Sequence, residues 1–305
     1  MGGQGLHTRG NFEGFTRSKS RQKWLEAHGG SHWAPFYTDY GVALQKRFFD
    51  FFLKDKPNGW DRQPRVQLNI RHPGEKFVLR HENEWPLART RWTRFYLHKN
   101  LFLSETASEG EGTVSYDPMG NGVTFSMTVQ KPTEITGPSA LKLFLSSATS
   151  DADVFAVLRV FDPQGKEVLF QGALDPKTPV AQGWLRASHR KLDPAKSLPY
   201  RPWHTHDEIQ KLIPGKEVEL DVEIWPTCIV VPAGWRLSLT IRGRDYEHDD
   251  AAATLSNMKH PMKGCGPFTH DDETDRPPAV FGGKVTLHFD RKPYLLLPII
   301  PEEMT

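Results

Sequence analysis

Residues 216–244 read KEVELDVEIWPTCIVVPAGWRLSLTIRGR. Val218, Leu220, Val222 and Ile224 alternate with Glu219, Asp221 and Glu223. After the turn signal Ala233-Gly234, Trp235, Leu237, Leu239 and Ile241 alternate with Arg236, Ser238 and Thr240. A strand sends successive side chains to opposite faces. Strict alternation therefore describes strands with one buried and one wet face, as in antiparallel sheets. The period of two recurs on both sides of this stretch, at Val66, Leu68 and Ile70, at Leu141, Leu143 and Leu145, and at Val285, Leu287 and Phe289. Residues 153–161 form a longer β-branched and aromatic run. Pro73-Gly74, Asp117-Pro118-Met119-Gly120, Asp162-Pro163-Gln164-Gly165 and Pro214-Gly215 punctuate the runs. Many short strands with this spacing predict a mainly β chain, a two-sheet sandwich of jelly-roll type. Residues 175–216 and 244–283 lack a clear period and are expected to be long loops.

The chain has 305 residues, with 39 Lys and Arg against 37 Asp and Glu. That balance makes no basic field and gives no support to a nucleic-acid partner. Two cysteines, Cys228 and Cys265, make no disulfide framework and suit a reducing, cytosolic setting. No run is long enough to span a bilayer, so no membrane partner is expected.

The front of the chain reads differently. Residues 39–54 predict one helix, with Asp39 as its cap and Leu44, Phe48 and Phe51 on one stripe. Val42, Phe49 and Phe52 add a second stripe, so the apolar face is broad and calls for a cover, such as a second copy of the chain. Pro57-Asn58-Gly59 ends it and sets a domain boundary, with residues 1–57 before it and 58–305 after it. A shorter helix is expected near residues 13–20. Ahead of the main helix, KWLEAHGGSHW (residues 23–33) predicts a strand end, then a Gly-rich loop that presents His28 and His32. A histidine on a loop after a strand and before a helix is how α/β-hydrolases place the last member of a Ser–Asp/Glu–His triad. Only about thirty residues precede His32, too few for a nucleophile elbow and an acid with their strands and helices. The expectation is a chain that begins near the end of a catalytic domain.

GGQGLHTRGNFEGF, KWLEAHGGSHW and LQKRFFDFFLK in the front resemble the family of CocE/NonD hydrolases and X-Pro dipeptidyl-peptidases. So do PRVQLNIR, EWPLART, TEITGPSALKLFLSS, DADVFAVLRVFDPQGKEV, GWLRASHRKLD, LIPGKEVELDVEIWPT, PAGWRLSLTIRGRDYEH and GGKVTLHF in the rest. The resemblance implies an α/β-hydrolase domain followed by a galactose-binding-like jelly roll, acting on esters or amides through a Ser–Asp–His triad. It places the catalytic histidine, the general base, at His32, with His28 as competitor. No G-x-S-x-G occurs, so no nucleophile carries over, and the acid's turn falls at residues 1–4, which hold no carboxylate. The chain alone is then expected to be inactive, its substrate a small ester or peptide once the hydrolase is complete. The alternative of another class is a non-catalytic β-sandwich that binds carbohydrate or a protein.

Four further clusters carry chemistry-bearing residues. Trp203-His204-Thr205-His206-Asp207-Glu208 has a metal-like composition, but no third ligand at helical or strand spacing, and reads as a polar loop. His260, Cys265, His270 and Asp271 read as an ordered loop, with no base beside Cys265. No metal and no cofactor are expected. Trp184, Arg186, His189 and Arg190 could line a groove but read more simply as a strand with Trp184 in and Arg186 out. Tyr246, Glu247 and His248 follow a strand end, within reach of a hydrolase site.

Overall fold

The fold is described from a computed structural model over residues 5–107, 110–250 and 261–302. Helix α1 (Thr8–Arg17), strand β1 (Leu25–Ala27) and helix α2 (Asp39–Lys54) come first. Strands β2 (Val66–His72), β3 (Lys76–Glu82), β4 (Arg91–Leu97), β5 (Leu103–Ser104), β6 (Thr113–Tyr116), β7 (Val123–Thr128) and β8 (Thr133–Ser147) follow. Then come β9 (Asp153–Phe161), β10 (Ala181–Arg186), β11 (Val218–Val231), β12 (Arg236–Arg242), the short helix α3 (Pro278–Phe281), β13 (Val285–His288) and β14 (Tyr294–Ile300).

The strands make a mainly β sandwich. The larger sheet runs β1-β2-β11-β8-β14-β4-β5, with β3 on β2 and with β13 joining β8 to β6. The smaller sheet runs β10-β9-β12-β7. The alternating apolar residues of both sheets meet in one core, where Leu141, Leu143, Leu145, Leu220, Val222 and Ile224 of the larger sheet face Val154, Ala156, Leu158, Leu237, Leu239 and Ile241 of the smaller. Strand β8, paired on both sides by β11 and β14, is buried along nearly its whole length. Core side chains of this size each contribute about 1.5–3 kcal/mol when fully buried.

Arg71 ties the two sheets together. It is 1% exposed. Its guanidinium donates to Cys228 O at 3.0 Å, to Val180 O at 2.8 Å and to Thr227 Oγ1, and lies 4.3 Å from the centre of the Phe170 ring. Cys228 and Thr227 belong to β11 of the larger sheet, whereas Val180 leads into β10 of the smaller. Burial lowers the pKa of Arg71, yet its three oxygen partners and the Phe170 face offset part of the desolvation cost.

The front segment is joined to the sandwich through its backbone. Strand β1 pairs in parallel with β2, Leu25 opposite Val66 and Ala27 opposite Leu68. Helix α1 spans residues 8–17 rather than the expected 13–20. Its two internal glycines disfavour helix, but tertiary contacts override them: Phe12 packs on Trp85 with ring centres 4.2 Å apart, Arg9 pairs with Glu223 at 2.9 Å, and Glu13 with Arg201 at 2.9 Å. Helix α2 lies where the sequence places it, but its cap is Thr38, not Asp39. The Thr38 backbone is extended and its hydroxyl accepts from Gly41 N at 3.1 Å, while Asp39 already sits in the first turn. Phe48 and Phe52 pack on Trp60 and Trp24. Val42, Phe49 and Leu53 stay exposed, as do Trp33, Phe36 and Tyr37 in the preceding turn.

The segment 175–216 is not wholly loop. It contains β10, whose sequence AQGWLR hides its period because Ala181 and Gly183 carry little side chain. Among the described residues no helix is long and apolar enough to cross a membrane.

Replacing Arg71 by methionine keeps apolar bulk but removes three donated bonds. Hydrogen bonds from a charged donor are worth roughly 1.5–3 kcal/mol each. Arg71→Met is expected to lower stability by about 3 kcal/mol or more, measured as a lower urea midpoint at an unchanged slope.

Candidate functional site

Two places concentrate the residues that carry chemistry. The first surrounds His32. Its loop leaves β1 and crosses to the sandwich, where His32 N and His32 Nδ1 both reach Ala173 O, at 3.1 and 3.0 Å. A carbonyl only accepts, so the proton is on Nδ1 and the Nε2 lone pair is left free. The ring is held edge-on between His7, 4.9 Å away, and Trp33, 4.7 Å away. The 172–175 turn behind it is fixed by the fully buried Asp175, whose carboxylate accepts from Lys177 N, Gly264 N and Gly266 N. Gly5 lies against Cys265 and Gly266, next to the glycines that Asp175 holds. His28, the competing histidine, bonds within its own loop, Nδ1 to Gly29 O at 3.0 Å.

The second is a cavity of about 630 Å³. Trp184 and Arg186 of β10, Glu223 and Trp225 of β11, and the start of β9 form its floor. Walls come from Arg9 of α1, from Trp203, His204 and His206, and from His270, Asp275 and Arg276. Gly183 makes the floor: a Cβ there would run into the Glu223 carbonyl oxygen, and its absence lets β10 lie directly on β11. The Trp184 and Trp225 rings then meet at 5.1 Å, with Phe155 and His270 completing the aromatic wall at 6.4 and 5.5 Å from Trp184.

The reading of Trp184 as in and Arg186 as out is corrected. Positions i and i+2 of a strand share a face, and both side chains line the cavity while Leu185 is buried beneath. Three of the separate stretches singled out in the sequence converge here, through Trp184, Arg186 and His189, through Trp203, His204 and His206, and through His270. Trp225 was legible as a tryptophan on the wet face of an alternating strand. Arg9, Asp153, Asp275 and Arg276 carried no local signal.

The charges in the cavity are paired. Buried Asp153 accepts from Arg186 at 3.0 Å and from Arg276 at 2.7 Å, and Arg186 also holds Asp275 at 2.9 Å. The bond to Asp153 raises the Arg186 pKa, and the bond to Arg186 lowers that of Asp275. Burial raises the pKa of Glu223 despite its pairing with Arg9. Burial, aided by neighbouring His206 and Arg9, pushes His204 down to about 4, so its ring is neutral at pH 7; a hydrogen bond to the Asp221 backbone opposes this in part.

The carboxylates of the His204 cluster do not join its histidines. Asp207 and Glu208 are exposed and pair with Lys191 at 3.2 and 3.0 Å, while His206 Nδ1 contacts His189 Nδ1 at 3.0 Å. Among the described residues no group of three or more His, Cys, Asp or Glu is arranged to hold a metal ion. The second loose set is dispersed. His260 lies outside the described residues, His270 bonds Asp245 at 3.0 Å, and burial pushes the Cys265 thiol up to about 12, which removes it as a nucleophile at neutral pH. Tyr246 is buried and donates to Glu167 at 2.9 Å, Glu247 pairs with Arg244 at 2.9 Å, and His248 accepts from Asp250 N at 3.1 Å.

Comparison with known proteins places this geometry. The family model of the X-Pro dipeptidyl-peptidase C-terminal non-catalytic domain matches residues 58–254. The crystal structure of a CocE/NonD family hydrolase from Staphylococcus aureus superposes with a TM-score of 0.86 at 30% identity, over 98% of this chain and 53% of that one. A Mycobacterium bovis protein named as a serine esterase is 30% identical over 128 residues, 40% of this chain and 19% of its own length. The cocaine esterase of a Rhodococcus strain is 25% identical over 167 residues, 42% of this chain and 29% of its own length. The chain thus spans about half the length of the staphylococcal structure, and its matches cover less than a third of the curated relatives.

The neutral state of His204 has a thermodynamic consequence. An unfolded histidine takes its proton near pH 6.5, whereas folded His204 resists until about 4. Between these values the unfolded state binds more protons, so stability is lost as pH falls through that window. Thermal melts from pH 7 to 4 are expected to show this loss, and His204→Gln to show a shallower one.

Proposed function

This chain belongs to the family of X-Pro dipeptidyl-peptidase C-terminal non-catalytic domains, and from that premise we propose that it is the C-terminal portion of a serine hydrolase of the CocE/NonD type, one that cleaves acyl esters or peptides. Residues 1–57 are the end of the α/β-hydrolase domain, and 58–305 the jelly-roll domain that walls its active site. His32 is the general base, which takes the proton of a serine hydroxyl on Nε2 and returns it to the leaving group. A nucleophile and an acid are not found in the chain, and a small ester or peptide is the substrate of the completed enzyme.

One observation carries the reading: His32 is held from the sandwich side, by Ala173 O, in the tautomer that leaves Nε2 free. The exposed Trp33, Phe36, Tyr37, Val42, Phe49 and Leu53 support it, as a surface for the rest of the hydrolase domain to pack on. A second copy of the chain is the other cover for this face. Free Cys228 and Cys265 accord with work in the cytosol.

The chain alone is expected to give no covalent adduct with a fluorophosphonate probe. Fused behind the hydrolase portion of the staphylococcal relative, in place of that protein's own C-terminal half, it is expected to restore hydrolysis of p-nitrophenyl esters. His32→Ala in the fusion should lower kcat at least ~10³-fold, in line with loss of a triad member. Serine labelling of the chain by itself, or an active His32→Ala fusion, overturns the reading.

A further inference from the structure

We propose that the cavity floored by Trp184 and Trp225 binds a short neutral oligosaccharide, with one sugar ring stacked on these indoles. The inference stands apart from the hydrolase reading and needs only the chain itself. Its first support is charge. The cavity holds three guanidiniums, Arg9, Arg186 and Arg276, against three carboxylates, Asp153, Asp275 and Glu223. They are paired with one another at 2.7–3.0 Å. An anionic ligand would meet the carboxylates and a cationic one the guanidiniums, so the balance selects a neutral ligand.

The second support is unused hydrogen-bonding capacity of both kinds. Arg9 spends only Nε on Glu223, and among the described residues its two Nη groups have no protein acceptor. The indoles of Trp184, Trp203 and Trp225 also line the cavity, and among the described residues their N–H groups have no protein acceptor. Asp275 is 64% exposed, with lone pairs left beyond its bonds to Arg186. A ligand that matches this rim both donates and accepts, as hydroxyl groups do.

The third support is shape. Trp184 lies nearly parallel to Phe155, at 26°, and is tilted by 40° to Trp225, which presents flat apolar surface beside a polar edge. A pyranose has that pairing of an apolar C–H face and a rim of hydroxyls. A flat arene without hydroxyls would leave the donors and acceptors of the rim unpaired. At about 630 Å³ the cavity lies within the range of small-molecule sites and exceeds a single ring.

The test is titration of the intact chain with neutral di- and trisaccharides of glucose, galactose, mannose and N-acetylglucosamine, read by tryptophan fluorescence and calorimetry. At least one is expected to bind saturably, and Trp184→Ala to weaken it at least tenfold with an unchanged circular dichroism spectrum. Should Trp184→Ala fail to fold, Trp225→Phe keeps the apolar bulk and removes one donor, and at least threefold weakening is expected. Trp92→Ala, which lines a different pocket, should bind as the parent does. The proposal is overturned if no saccharide binds below about 10 mM, a limit weaker than −4 kcal/mol, or if neither cavity variant alters binding. It is also overturned if the uronic-acid counterpart binds as tightly, or if indole or phenyl acetate binds where sugars do not.

Discussion

A guanidinium without access to water organises this molecule. Arg71 leaves β2, passes under β11 through Cys228 O and Thr227 Oγ1, and ends on Val180 O at the entry to β10. Together with Thr227 Oγ1, which donates to Val180 O at 2.9 Å, it makes a polar crossing between two sheets that share a hydrocarbon core. A charge in such a place is costly unless its donors find acceptors; here Nε and Nη2 do so, while Nη1 has none among the described residues. The requirement is directional, whereas apolar packing is not. Arg71 therefore fixes where β10 starts, and through Gly183 how closely β10 lies on β11. Trp184, Arg186, Glu223 and Trp225 take their positions from that contact.

The front segment depends on the same frame. Strand β1 extends the larger sheet through β2, the strand that carries Arg71, and α1 is pinned by Arg9 on Glu223 and Glu13 on Arg201. His32 is reached by a loop from β1 and held by a carbonyl from the sandwich. A residue of the front segment is thus oriented by a carbonyl of the sandwich.

Where sequence reasoning went astray, a specific competing force was at work. The cap of α2 moved to Thr38 because an extended backbone with a hydroxyl in reach of Gly41 N suits the cap better than a carboxylate already inside the helix. Helix α1 formed despite Gly10 and Gly14 because its contacts are tertiary. Strand β10 was hidden by Ala181 and Gly183, the latter chosen for close approach and so without a side chain to register a period. The stretch 203–208, by contrast, was read as a polar loop, and there Lys191 pairs with Asp207 and Glu208 at the surface.

The sequence by itself determined strands β2, β8, β9, β11, β12 and β13, the main helix, the sandwich class and the family resemblance. These follow from period, turn residues and local motifs, all of which act over a few neighbouring positions. Only the tertiary structure decided the cavity, the hold on His32 and the buried crossing at Arg71. Arg9 and Glu223 stand 214 residues apart, Asp153 and Arg276 123 apart, and His32 and Ala173 141 apart. The physical reason is that such pairings are selected by charge balance and by the need to satisfy buried polar groups, and neither leaves a periodic trace along the chain.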